Sequence, residues 1–171
     1  NRKFIDLLLQ FTGKCRVLAS VDAIGKKGEY IRYKSNWKNI EYNILKFKEK
    51  NNSYKFIIKP TLSALNILYL DELISWAEKN ELLVRANNRL INPEWLSIKV
   101  LPDSIKHDIL KKYNNVNNEI LNLTELETHL FNKSTSSRLV EKFLTEIQKN
   151  DRMRNTSIKE TLPEIYNALI N

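Results

Sequence analysis

The sequence predicts an α/β fold in which three parallel strands are joined by crossover helices and followed by a helical tail. Three observations carry this. In the first half, short apolar runs alternate with longer stretches whose apolar residues recur at helical spacing. The connections between those runs are long enough for parallel neighbours, which need a dozen or more residues to return. After Pro102 the pattern is helical only.

The elements follow in order. Residues 2 to about 11 place Phe4, Ile5, Leu7, Leu8 and Phe11 on a helical face, and Gly13 is placed to stop that helix. Arg16 to Asp22 reads as a buried strand. Ala23 to Ser35 reads as a loop with Gly25 and Gly28, followed by the aromatic and basic stretch Tyr30 to Tyr33. Asn36 is suited to cap a helix running to about Lys50, striped by Trp37, Ile40, Ile44, Leu45 and Phe47. A second strand is expected from Tyr54 to about Ala64. Pro60 lies within it and cannot donate to a ladder, so a bulge or edge is expected there. A helix from Leu70 to Asn80 and a weaker strand from Glu81 to Ala86 complete the alternation. Then come a turn at Asn92 and Pro93, a short extra strand from Trp95 to Val100, and a helix from Pro102 and Asp103 to Tyr113. The asparagines between 114 and 118 form a linker, with helices expected near 119–131, 136–150 and 157–169.

Composition narrows the classes. The 171 residues are 42% hydrophobic and 28% charged, which suits a packed globular core rather than disorder. Lys and Arg number 28 against 20 Asp and Glu, a net charge of +8. No apolar run reaches the ~18 residues of a membrane span and no signal peptide is evident, so a soluble, cytoplasmic protein without a membrane partner is expected. Cys15 is the one cysteine, which excludes an intrachain disulfide and a thiolate metal site built from this chain. Cys15 itself reads as a small buried residue. His107 and His129 lack the spacing of a paired metal site. The opening on Asn1, within a helical pattern, and the single Met153 suggest a segment of a longer protein.

Side chains alternate along a strand, so Leu18, Ser20 and Asp22 share one face while Val17, Ala19 and Val21 share an apolar one. Ser20 and Asp22 thus fall at the carboxyl end, where parallel α/β sheets hold ligands. The second strand repeats this, with Lys59, Thr61 and Ser63 opposite Phe56, Ile58, Leu62 and Ala64. A Ser or Asp at a strand end also commonly caps the next turn.

The stretch from Ser20 through Asp22 to Gly25, then Glu29 to Tyr33, then Asn36 and Trp37, resembles the fourth strand and following loop of radical S-adenosylmethionine enzymes with a C-terminal twitch domain. Thr61 to Ile67, with Leu70 and Trp76, is similar to that group's fifth strand and next helix. Asn88 to Leu90, Asn92 to Ile98, and Leu101 and Pro102 with Ile105 and Lys106 resemble the passage from barrel to extension. Asp151 to Arg154 and Pro163 to Ile165 resemble the closing helices. The resemblance implies a partial (β/α) barrel of the radical S-adenosylmethionine type, its last three parallel strands in residues 1–91. A twitch-like, mainly helical extension would occupy 92–171.

It also implies roles. Ser20 and Asp22 stand where the family binds the ribose hydroxyls of S-adenosylmethionine, and a carboxylate is an acceptor for a diol. Arg32, twelve residues after Ser20, matches an arginine that grips the methionyl carboxylate through two parallel bonds. Ser63 to Asn66 would neighbour the adenosyl and substrate groups. The alternatives are that Arg32 is a surface salt-bridge partner and that Asn66 is a loop residue bonding local backbone. The departure from the family is the [4Fe-4S] cluster, which needs three thiolates that this chain lacks. The implied partner is therefore an N-terminal half bearing CxxxCxxC, in the same longer chain or a separate one, acting on an unknown substrate. A twitch-type auxiliary cluster is excluded for the same reason. The competing expectations are a basic nucleic-acid-binding module, using Tyr30 to Lys34 and Trp37 with Lys38, and a non-catalytic interaction piece.

Overall fold

Three parallel strands organise the first half of the chain: β1 (Arg16–Ala19), β2 (Lys55–Ile58) and β4 (Leu83–Val84), in the order β1-β2-β4. The computed structural model describes residue 10 and residues 16–50, 55–132 and 136–170. The helix expected over 2–11 lies outside these, apart from Gln10, which is helical, and Cys15 lies outside them as well. Val17 pairs with Phe56 and Ala19 with Ile58, and Ile58 in turn with Val84. The expected alternation is thus observed, with helices α1 (Gly25–Ile31) and α2 (Trp37–Lys50) crossing from β1 to β2 and α3 (Leu70–Lys79) crossing onward to β4. The face bearing Val17, Ala19 and Val21 is the more buried, while Leu18 is 52% exposed.

Pro60 splits the second strand, as its missing N–H requires. The chain bends and re-enters as β3 (Thr61–Leu62), which pairs in parallel with β5 (Asn88–Arg89). β4 bends in the same way, so the two chains that neighbour in the first sheet meet again in the second. β5 is too short and too polar for periodicity to reveal.

Two expectations are corrected. The segment expected as a loop from Ala23 to Ser35 contains helix α1. Gly25, at φ +56°, turns the chain off the strand end. At Gly28 a Cβ would stand 2.4 Å from the carbonyl oxygen of Ala23. The glycines therefore permit a tightly seated helix rather than dissolve one. The short strand expected over Trp95 to Val100 is two 3₁₀ turns, Glu94–Leu96 and Ile98–Val100. Ile98 and Val100 are fully buried, and their spacing of two imitates a strand while Ser97 turns the chain between them.

The tail is helical as expected: α4 (Asp103–Tyr113), α5 (Leu123–Phe131), α6 (Ser137–Arg154), α7 (Ile158–Thr161) and α8 (Pro163–Ile170). Asn36 caps α2, accepting from Asn39 N at 2.9 Å, and Asn122 caps α5, accepting from Glu125 N at 3.1 Å. Leu162 and Pro163 divide the last expected helix in two.

One buried apolar cluster runs from Val21 to Leu169 and takes in both halves of the chain. Two tyrosines tie them by hydrogen bonds. The Tyr113 hydroxyl donates to the Ile67 carbonyl at 2.6 Å, and the Tyr69 hydroxyl accepts from Glu164 N at 3.2 Å. Burial pushes the Tyr69 phenol up to about 12, and burial with the nearby Asp71 carboxylate raises Tyr113, so both remain protonated.

Substituting Gly28→Ala tests the seating of α1. In an exposed helix Gly→Ala gains up to about 1 kcal/mol. Here the Cβ collides with backbone, so a loss of about 1–3 kcal/mol is expected from urea denaturation. A gain would mean that α1 does not press on Ala23.

Candidate functional site

The site grows from the carboxyl end of β1. The ladder there runs through Lys59 N, which donates to Ala19 O at 2.8 Å. Donors alternate along a parallel strand, so the next donor on this edge is Thr61 N. The bend at Pro60 takes Thr61 away from backbone partners. Its N–H is accepted instead by Asp22 Oδ1 at 2.9 Å. Asp22 thereby substitutes a side-chain oxygen for a lost ladder carbonyl.

The other oxygen of Asp22 faces Arg32. α1 ends at Ile31, and its single short run returns Arg32 to the strand end. Arg32 Nε donates to Asp22 Oδ2 at 2.9 Å, and Nη2 lies 2.8 Å from both Asp22 Oδ2 and Ser20 Oγ. One guanidinium edge therefore joins the hydroxyl to the carboxylate. The Asp22 side chain is 11% exposed and that of Arg32 is 47% exposed, so solvent screens the pair and its net worth is about 1 kcal/mol.

Ser63 and Asn66 lie behind this wall. Asn66 is 1% exposed and its amide is fully engaged. Nδ2 donates to Asp22 O at 3.1 Å and Thr61 O at 3.0 Å, while Oδ1 accepts from Ser63 N at 2.8 Å. Ser63 Oγ donates to Asn66 Oδ1 at 3.3 Å and accepts from Leu65 N at 3.3 Å. All five residues singled out in the sequence thus belong to one network. Ser20, Asp22 and Arg32 line a cavity, whereas Ser63 and Asn66 brace its frame.

That cavity, about 360 Å³, lies between the β1 end, α1 and α2. Its polar wall carries Ser20, Asp22, Arg32 and Ser35, and its apolar wall carries Trp37, Ile40 and Ile44. Trp37 is fixed twice over: its N–H donates to Glu29 Oε1 at 2.7 Å, and its ring meets Trp76 edge-on at 5.1 Å. Trp76 is anchored by donating Nε1–H to Glu41 Oε1 at 2.7 Å. Sequence reasoning placed Trp37 in a packing stripe, in the family resemblance and in the nucleic-acid alternative, but not in a cavity wall, and did not single out Asn43, which also lines the cavity. Their signal is the spacing 37, 40, 43, 44, one helical face.

Among the described residues no group of three His, Cys, Asp or Glu side chains is placed to hold a metal ion. No helix among them is long and apolar enough to cross a membrane. No protein-family model matches the chain, and no curated protein or solved structure matches it.

The network separates two substitutions. Asn66→Ala removes four bonds and takes the partner from the Ser63 N–H and hydroxyl and from the Asp22 and Thr61 carbonyls, so stability should fall by about 3 kcal/mol or more. Asp22→Asn keeps an acceptor for Thr61 and loses the screened ion pair, a loss of about 1 kcal/mol. Equal losses in urea denaturation would contradict this division into frame and wall.

Proposed function

We propose that the chain is the C-terminal segment of a radical S-adenosylmethionine enzyme, contributing cofactor and substrate contacts and inactive without a cluster-binding half. The observation that carries this reading is the union of Ser20, Asp22 and Arg32 on one wall of a cavity at the carboxyl end of a parallel strand. The donor set fits the group. Ser20 and Asp22 supply acceptors for vicinal hydroxyls, and the half-exposed guanidinium of Arg32 suits a carboxylate. The opposite wall, Trp37, Ile40 and Ile44, excludes water beside them. Asn66 and Thr61 keep Asp22 from turning away.

S-adenosylmethionine, bound beside a [4Fe-4S] cluster that would supply the electron for its cleavage, would provide hydrogen-abstraction chemistry here, with Ser20 and Asp22 holding its ribose hydroxyls and Arg32 its carboxylate. The cluster's three thiolates exceed the one cysteine of these 171 residues, so they belong to an N-terminal half bearing CxxxCxxC. Leu18 and Leu83, 52% and 50% exposed and in register across Ile57, support a face that such a half would cover. Residues 92–171 form the twitch-like extension in this reading, and the assembly works in the cytoplasm.

The tagged chain, used as bait under anaerobic conditions, should retain a polypeptide bearing CxxxCxxC. Once loaded with iron and sulfide, that complex should bind S-adenosylmethionine, and Arg32→Ala should weaken binding about tenfold or more. Undiminished binding by the variant would remove Arg32 from the site. Failure to retain such a partner, with tight and steeply salt-dependent binding of single-stranded nucleic acid, would replace this reading with the nucleic-acid one.

A further inference from the structure

Arg89 lies on β5, opposite Leu62 of β3, and its Nη1 donates to the Ala86 carbonyl at 2.9 Å. Its remaining nitrogens, Nε and Nη2, are buried and have no hydrogen-bond partner. They form the edge of a guanidinium that grips a carboxylate or phosphate through two parallel bonds. On α5, the Nε2 of His129 is likewise buried without a partner. Among the described residues, the buried side-chain nitrogens and oxygens without a partner are these three. They belong to one neighbourhood: Ala86 N donates to Ile120 O at 2.6 Å and Asn122 N to Asn87 Oδ1 at 3.1 Å, which seats the chain leading into β5 against the start of α5, and the turn Ile98–Val100, which carries Lys99, packs on α5. Glu125, exposed and one turn before His129, is the carboxylate whose charge offsets the burial of Arg89.

An unmet buried donor costs about 1–3 kcal/mol, and native folds hold few of them. Two unmet guanidinium nitrogens and an unpartnered imidazole nitrogen, with two fixed cations and one exposed carboxylate, leave a local excess of positive charge.

We propose that Arg89 and His129, with Lys99 beside them, bind a small oxyanion, a carboxylate or phosphate group, on the Nε and Nη2 edge of Arg89. The site shares no residue with the cavity at Ser20 and Asp22 and does not depend on the function proposed for it.

His129 reports occupancy. Burial first, then Lys99 and Arg89, hold its imidazole below the usual range, so it is neutral in the fold near neutrality. Without an anion, stability falls as pH drops below about 6.5, because the unfolded chain takes the proton first. A bound oxyanion raises the folded value, so binding takes up a proton and strengthens as pH falls.

The experiment follows the His129 ring by NMR in the whole chain at fixed ionic strength, in chloride, acetate or inorganic phosphate. Acetate, phosphate or both should raise the His129 midpoint relative to chloride, and the stronger of the two identifies the ligand class. Arg89→Lys should weaken that response about tenfold or more, since a lysine lacks the two-pronged edge. In His129→Gln, stabilisation of the fold by the same anion against urea should persist and lose its pH dependence, and loss of that stabilisation at every pH would overturn the proposal. A midpoint unmoved by either anion overturns the proposal, as does an equal response in Arg89→Lys. So does a Glu125→Gln variant as destabilised as Arg89→Lys, because Glu125 would then be the partner of Arg89 in solution.

Discussion

The bend at Pro60, and the carboxylate that compensates for it, set the geometry of the first half of the molecule. A proline in a parallel strand removes one donor and forces the next residue out of register. Here the displaced donor, Thr61 N, is met by Asp22 Oδ1. That bond fixes where β3 starts, and β3 fixes where β5 pairs. The same carboxylate holds Arg32 through its second oxygen, so α1 is tied to the strand end by the group that repairs the ladder. The cavity wall is thus a consequence of a backbone defect and its repair.

Burial decides what each polar group in this network contributes. Asn66 is almost fully enclosed and satisfies backbone groups of Thr61 and Ser63 just beyond the bend and of Asp22 at the end of β1, so its bonds act at low dielectric without competition from water. Arg32 makes contacts as short as the shortest of Asn66 but stands in solvent, where its pair with Asp22 is screened. The frame is therefore the rigid part and the exposed guanidinium the part free to exchange partners.

Much of this was legible in the sequence. Val17, Ala19 and Val21 alternate with Leu18, Ser20 and Asp22, Asn36 precedes an apolar stripe, and Pro60 interrupts a strand pattern; the first face is the more buried, Asn36 caps its helix and the strand breaks at Pro60. Ser20 and Asp22 were singled out by their place at the strand end and Arg32 by the family resemblance, and the three do meet. What escaped was tertiary. Gly25 and Gly28 carry loop propensity, and only the approach of Ala23 O explains why a helix needs them. Ile98 and Val100 follow strand spacing although 3₁₀ turns bury them. Asn88 and Arg89 have no strand signature, and their pairing depends on where Pro60 sends the neighbouring chain. For Asn66 the bonds to Ser63 N and Thr61 O are those of the alternative in which a loop residue bonds nearby backbone, and the bond to Asp22 O reaches across to the end of β1.

Arg32 and Arg89 make the electrostatic organisation plain, because the same side chain occupies opposite situations. Arg32 already faces a carboxylate, so an incoming anion exchanges one partner for another and releases Asp22 as an acceptor for hydroxyl groups. The net gain at Arg32 is small unless the ligand offers both chemistries together, which favours a molecule carrying a carboxylate and a diol over a simple anion. Arg89 has two buried N–H groups without an acceptor and a histidine in the same condition beside it. There an anion displaces no internal partner and relieves a penalty already present in the fold. For the ligands proposed, selectivity at the first site would thus arise from competition with Asp22, and affinity at the second from its absence.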